Sequence, residues 1–352
     1  MKKKIILFLM VLIVGCALVL ASQTPSHAGT EVFKWRMVTS WPAGIPLYAA
    51  TVKFAERLKA VTGGRLDITV YPAGALVPAM EVFDTVSKGT AECGSSWSAY
   101  WIGKNPATAM FGSMPMGLNT NEYFLWLYHG GGLELWRELY AKYNMVPFPM
   151  ASLGQEIGLQ SKKPVRSIKD LKGLRIRYVG WAAEIMSGLG ASVSPLPGDE
   201  LYTAMERGVL DACEFSIPSL NVMVGLHKVT KYIVMPGWHQ PGSICELMVN
   251  KDAYNKLPDD LKAALDSVSM ASMIWSYAYM ETLNIAAIEK MQKAGLKVTQ
   301  LGAEDLKKIK VASEALKDKL AAKDPFFAKV LKSQRDFVKG YAPWREMKKS
   351  LD

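Results

Sequence analysis

Cysteine and histidine are both scarce, with four of each in 352 residues. Cys16, Cys93, Cys213 and Cys245 show neither the density of a disulfide framework nor the close spacing of a zinc site. One bridge, Cys213 to Cys245, is open to the mature chain, but small buried hydrophobes account for these residues more simply. His129, His227 and His239 lie far apart, and no G-x-S-x-G, H-E-x-x-H, phosphate-loop or dinucleotide signature occurs. Nothing in these absences favours an enzyme. Low-complexity tracts are missing too; 50% of residues are apolar and 21% charged, which argues for a folded chain. The formal net charge of +10 comes from cations spread along the chain, and those in 303–323 alternate with apolar positions as on a solvated helix face. That pattern argues against nucleic-acid binding.

The one long apolar run stands at the start. Lys2, Lys3 and Lys4 precede an unbroken apolar stretch over 5–20, and Ser26-His27-Ala28 offers small residues at the two positions a signal peptidase reads. These features predict a signal peptide over 1–28 and hence export. The run is short for a transmembrane anchor. Ile13-Val14-Gly15-Cys16 resembles a lipobox, which would anchor the chain at Cys16, but apolar residues continue past that cysteine and favour soluble export.

What remains is long enough for two cores, since one core stops growing at about 250–300 residues. Phe33, Trp35 and Met37 alternate with Lys34 and Arg36 as in a half-buried strand. Ala50, Phe54, Leu58 and Val61 then recur at helical spacing up to Gly63-Gly64, and Leu66, Ile68 and Val70 alternate again. This β-α-β order calls for a parallel sheet. A helix, a cation, a glycine stop and a strand starting near an acid occur twice, ending in Lys88, Gly89 and Glu92 and in Arg207, Gly208 and Asp211. The repetition suggests two α/β lobes built alike. Lobe I falls over 29–152 with part of 240–300, and lobe II over 153–239. The turn-rich run 236–242 is a candidate crossing between them. Pro258, Asp259 and Asp260 at one end and Gly295 at the other predict a long helix over 258–295. At 1.5 Å per residue it would reach about 54 Å, enough to run along both lobes. A helical extension over 303–352 completes the chain, as a buttress or a dimerisation arm.

Leu174, Ile176 and Tyr178 alternate with Arg175 and Arg177, which would put both arginines on a solvent face. Arg177 is also the last cation before Gly180, and a guanidinium is well suited to grip a carboxylate through two parallel hydrogen bonds. Both readings stand on the residues alone. Cys213-Glu214 and Cys245-Glu246 each set a small apolar residue before an acid, so alternation would bury both thiols and turn both carboxylates the other way.

Four segments, in this order and spacing, resemble the substrate-binding proteins of tripartite ATP-independent periplasmic (TRAP) transporters, a DctP-like family. They are Thr62-Gly63-Gly64-Arg65-Leu66 through Val70-Tyr71-Pro72, Asp170-Leu171-Lys172-Gly173-Leu174-Arg175-Ile176-Arg177, Leu210-Asp211-Ala212-Cys213-Glu214-Phe215, and Glu246-Leu247-Met248-Val249-Asn250-Lys251. The resemblance implies a two-lobed periplasmic binding protein fold, no catalysis, and delivery of a small organic acid to TRAP membrane subunits. Tyr100-Trp101-x-Gly103-Lys104 and Pro236-Gly237-Trp238-His239-x-Pro241-Gly242 are similar to the branch that binds 2-oxo or 2-hydroxy monocarboxylates with a metal ion.

For individual residues, the resemblance implies that Arg177 clamps the carboxylate while Trp97, Tyr100 and Phe215 line the pocket. It implies a metal held by Glu214, the backbone carbonyl of Phe215, Glu246, and either Gln155 or Glu156. The branch usually has tryptophan at the position of Phe215 and glutamine where Gln155 or Glu156 falls. With Glu156 inward, three carboxylates would surround the ion beside an anionic ligand, which favours a divalent ion, calcium over sodium. A protonated acid, or a cationic ligand with no metal, would also balance the charge. Relatives with a similar C-terminal extension dimerise through swapped helices, so a homodimer is expected. The rival function is a periplasmic metal-dependent enzyme acting on a small carboxylate with Glu156 as general base. No histidine or cysteine is expected to face the site, which counts against it.

Overall fold

Alternating segments of the sequence assemble into two separate sheets. The computed structural model describes residues 31–196 and 198–348, so the signal peptide expected over 1–28 and the last four residues of the extension lie outside the described residues. In lobe I, β1 (Phe33–Thr39), β2 (Leu66–Tyr71), β3 (Cys93–Ser96), β4 (Met145–Ser152) and β10 (Ile244–Asn250) take the order β2-β1-β3-β10-β4. β1 runs parallel to both β2 and β3, with the helix Pro46–Val61 as crossover, and β10 returns antiparallel between β3 and β4. In lobe II, β5 (Leu159–Ser161), β6 (Arg175–Arg177), β7 (Ser192–Val193), β8 (Ala212–Cys213), β9 (Tyr232–Met235) and β11 (Lys297–Gln300) take the order β11-β9-β5-β8-β6-β7.

The repeat seen in the sequence has a physical counterpart. Helices Val82–Ser87 and Leu201–Glu206 lead through Gly89 and Gly208, each at φ +73°, into β3 and β8. A side chain at either glycine would be strained in this left-handed conformation. β3 runs parallel to β1 as β8 does to β6. Just before the strands, Glu92 accepts hydrogen bonds from the backbone N–H, Nε and Nη2 of Arg36, and Asp211 accepts the same three from Arg175.

The long helix spans Asp259–Lys293, 35 residues and about 52 Å at 1.5 Å each. Along it, Leu261, Leu265 and Val268 join the lobe I core, Met280 joins a cluster at the junction, and Met291 packs with Ile157 and Ile233 of lobe II. Buried Ser269, Ser272 and Ser276 let the helix approach closely, and Ser276 Oγ accepts from the Ser152 N–H at 3.0 Å. In the extension, Ile309 and Leu316 of helix Ala303–Ala321 pack on lobe II, whereas Phe326, Phe327 and Val330 of helix Pro325–Lys348 pack on lobe I. The extension therefore straps both lobes. Among the described residues no helix is long and apolar enough to cross a membrane.

Candidate functional site

Parallel strands concentrate exposed loop starts at their C-terminal ends, where open α/β sheets bind ligands. In lobe I, Trp97 follows directly after β3 and Tyr100 sits in the short turn Ser98–Trp101. In lobe II, Arg177 ends β6 and Glu214 follows β8, its parallel neighbour. These ends border a cavity of about 510 Å³ lined by Trp97 and Tyr100 from lobe I and by Arg177, Glu214, His239 and Gln240. Larger hollows of about 750 and 1000 Å³ flank the long helix, but no buried guanidinium lines either.

Arg177 is buried, unlike its strand neighbour Arg175, which pairs with Asp211 in the open. Solvent-face alternation therefore holds for Arg175 and fails for Arg177, because the strand ends there and the guanidinium turns into the cleft. Its Nη1 donates to Glu214 Oε2 at 2.8 Å and to the Glu214 carbonyl at 2.5 Å, and its Nε donates to the Leu196 carbonyl at 3.1 Å.

Glu156, not Gln155, turns toward this group. Ser216 Oγ donates to Glu156 Oε1 at 3.0 Å, and His239 Nε2 stands 3.1 Å from Glu156 Oε2 and 3.4 Å from Glu214 Oε1. Gln155 is exposed and faces the larger hollow beside Glu281. The inward turn depends on Gly237, where a Cβ would come within 1.9 Å of the Glu156 carbonyl oxygen. Two backbones can touch there only because one residue has no side chain.

The expectation that no histidine faces the site is corrected by His239. Burial alone would lower its pKa, but hydrogen bonds and charge from Glu156 and Glu214 push it up to about 9. Burial in turn raises the Glu156 carboxyl, an effect His239 opposes. Arg177 and protonated His239 thus balance Glu156 and Glu214, a neutral quartet away from water.

The structure does not bring Glu246 into this cluster. Its carboxylate, fully buried, accepts from Trp101 Nε1 at 2.6 Å and from the Tyr140 hydroxyl at 2.7 Å. Burial pushes its pKa up to about 7, against the lowering effect of those two bonds. The parallel between Cys213-Glu214 and Cys245-Glu246 fails because β8 and β10 belong to different sheets, and the register of β10 slips at Cys245/Glu246. Both thiols are buried and free, as is that of Cys93.

Phe215 is half-buried and packs between the junction cluster and the lobe II cluster around Leu201, with Gly198 leaving room for its ring. Trp97 meets Tyr100 edge-on, ring centroids 5.3 Å apart, and its Nε1 points at Gly112, where a Cβ would lie 2.8 Å away.

Glu156, Glu214 and His239 each offer a ligand atom within 4.8 Å of the others. Gln240, which the sequence reading passed over together with His239, lines the same cavity with its Oε1 buried and unpartnered among the described residues. Carboxylate and amide oxygens are the donors that calcium or sodium takes. Glu156 and Glu214 fit such an ion and would hold it, and the Gln240 oxygen in the same cleft would be a further donor. For His239 and Gln240 the sequence offered the turn-rich run 236–242 and its resemblance to the metal-binding branch, but no periodicity to orient either side chain.

The family profile described as bacterial extracellular solute-binding protein, family 7, matches residues 37–324. The chain belongs to this family. A curated relative of this solute-binding family, a monocarboxylate 2-oxoacid-binding periplasmic protein of Nostoc sp., is 35% identical over 94% of the chain and 92% of its own length. A TRAP transporter solute-binding protein of Bordetella bronchiseptica, solved as a mixed-occupancy dimer with calcium and picolinate, superposes with a TM-score of 0.85 at 32% identity, covering 92% of this chain and 97% of that one. One from Colwellia psychrerythraea with calcium and pyruvate gives 0.85 at 33% identity over 91% and 98%. Another from Pseudoalteromonas atlantica with sodium and pyruvate gives 0.83 at 32% over 91% and 98%. These relatives are solute-binding proteins of TRAP transporters, not enzymes, and the two-lobed α/β fold with its helical extension is theirs as well.

Proposed function

We propose that the protein captures a small 2-oxo or 2-hydroxy monocarboxylate together with a divalent metal ion, calcium, and delivers it to TRAP membrane subunits. The observation that carries this reading is the buried Arg177 guanidinium bordering a cleft between two lobes. A guanidinium held by carbonyls and one carboxylate is pre-aimed, so a ligand carboxylate gains charge-assisted hydrogen bonds without reordering it. Glu156, Glu214, Arg177 and His239 already balance, so an anionic ligand leaves one negative charge in excess. A bound cation would offset it. Glu214, Glu156 and the free Gln240 oxygen would hold the ion, with the Phe215 carbonyl as a further donor. The ion would supply positive charge to the ligand's oxygens. With Glu246 elsewhere, a single positive charge would meet this excess, so the preference for calcium over sodium rests on the number of oxygens on offer, from two carboxylates, the Gln240 amide, the Phe215 carbonyl and the ligand itself.

Trp97 and Tyr100 would close over the ligand from lobe I as the lobes approach about the crossings. Export by segment 1–28 would bring the chain to the periplasm in soluble form. The exposed end of the extension, with Trp344 and Met347 on its surface, suits a homodimer.

The test is a thermal-shift screen of small carboxylates with and without chelator. Pyruvate should raise the melting temperature of the wild type in calcium, and Arg177→Ala should remove the shift. An Arg177→Ala protein that responds like the wild type would refute the clamp.

A further inference from the structure

The hollow of about 750 Å³ beside the long helix is built from three sides, and Arg177 does not line it. Ile45 and Pro46 come from the start of the lobe I helix Pro46–Val61, Ser219 and Met223 from lobe II, and Trp275 and Tyr279 from the long helix. The Trp275 and Tyr279 rings stack with centroids 5.0 Å apart and 14° from parallel, and Met223 is exposed. Single apolar residues on a surface need no explanation, but several converging in one concave wall mark a binding surface.

Two polar features open into the same hollow. Ser219 is only 7% exposed; its N–H donates to Asn284 Oδ1 at 3.1 Å, yet its hydroxyl has no hydrogen-bond partner among the described residues. A buried hydroxyl left this way costs free energy until an acceptor or donor reaches it. The helix Pro46–Val61 begins at Ile45 with no side-chain cap and no acid in its first turn. The leading N–H groups of a helix have no partners within it, and its dipole makes that end positive. At the rim, Lys53 and Lys290 outweigh Glu56.

We infer that this hollow is a second binding site, separate from the cleft, for an aromatic anion. The anionic head sits at the uncapped start of the helix Pro46–Val61 and accepts from the Ser219 hydroxyl. The ring system lies on Trp275, Tyr279 and Met223, where aromatic contact adds to the burial of apolar surface. Because the walls come from both lobes, the affinity of the occupant depends on the angle between them. One apolar cluster joins Trp275 and Tyr279 to Trp97 of the cleft, so the two sites bias the same closure. The second site stands without the carboxylate-capture reading; its coupling to the cleft rests on that reading.

The experiment is titration calorimetry of the mature chain with naphthalene-2-sulfonate as the probe. The wild type should bind it, and 2-naphthalenemethanol, with the same rings and no charge, should bind several-fold more weakly. Ser219→Ala should weaken the sulfonate about tenfold. Ala49→Glu puts an acid into the exposed first turn, where it suits the helix and repels the head, so binding should fall while the melting temperature holds. Ala286→Trp, also at an exposed position, should fill the hollow and do the same. No binding to the wild type, or undiminished binding in both Ala49→Glu and Ala286→Trp, overturns the site. Equal affinity for the uncharged alcohol overturns the anionic head. Pyruvate in calcium should change the sulfonate affinity of the wild type about fivefold. Pyruvate that binds without changing it overturns the coupling alone. Pyruvate that does not bind overturns the capture reading and the coupling with it, and leaves the second site in place.

Discussion

Arg177 and Glu214 are joined twice: one guanidinium nitrogen, Nη1, donates to both the carboxylate and the backbone carbonyl of the same residue, at 2.8 and 2.5 Å. The pairing fixes the guanidinium relative to the strand end itself, not only to a mobile side chain. Parallel β6 and β8 make it possible by ending level with each other, Arg177 opposite Cys213.

Removing Arg177 should do more than weaken ligand binding. It would strand two buried carboxylates with only His239 as counter-charge, and breaking a buried pair costs about 3–5 kcal/mol. Urea unfolding of Arg177→Ala without ligand should show that loss. Arg177→Lys should keep most of the stability but not the carboxylate affinity, since an ammonium lacks the planar fork. Equal affinity in the lysine variant would refute gripping by the guanidinium.

The metal should bind through Gln240. Gln240→Leu keeps the shape but removes the unpartnered oxygen, so calcium should stabilise this variant less than the wild type in melts without carboxylate. Glu214→Gln should have a larger effect than Gln240→Leu. A calcium response unchanged in Gln240→Leu would take that residue out of the donor set.

Glu246 gives the fold a pH dependence apart from the ligand site. Its folded pKa, about 7, lies above the ordinary carboxyl value of 4.5, so the folded state holds its proton longer than the unfolded one. Stability from this group is complete below pH 4.5 and is lost as pH rises through 7. The slope reaches at most about 1.4 kcal/mol per pH unit. Glu246→Gln does not titrate, so its unfolding free energy should gain on the wild type across that window. Parallel curves for the two proteins would refute the assignment.

Gly237 should be intolerant of even one carbon. Gly237→Ala would press a methyl group into the Glu156 carbonyl, and overpacking of this kind costs about 1–3 kcal/mol. Gly103→Ala, with nothing within 4 Å of the added carbon, is the control and should be near neutral. Similar melting temperatures for both variants would show that the 236–242 run yields easily.

Much of the architecture was legible along the chain. Alternation at Phe33–Met37 and Leu66–Val70, helical spacing between them, and the twofold recurrence of helix, glycine and acid are local patterns. A strand or helix buries one face whatever it packs against, so the long helix was readable nearly to its ends. The repeat even foreshadowed the twin pairs Arg36–Glu92 and Arg175–Asp211, since an acid opening a parallel strand falls beside its neighbour. The resemblance to TRAP binding proteins supplied the family from short motifs.

What the sequence by itself determined is therefore the opening β-α-β unit, the recurring helix–glycine–strand unit, the long helix, the two-lobed plan and the kinship. Only the tertiary structure decided which polar side chains meet. Glu214 and Glu246 look alike in sequence, yet one faces Arg177 and the other disappears beneath Trp101 and Tyr140. His239 and Gln240 sit in a run without periodicity, so nothing local could aim them. Periodicity fixes the direction of a side chain relative to its own element, whereas a binding site depends on how separate elements face one another, a relationship set by packing across 83 residues of chain between Glu156 and His239.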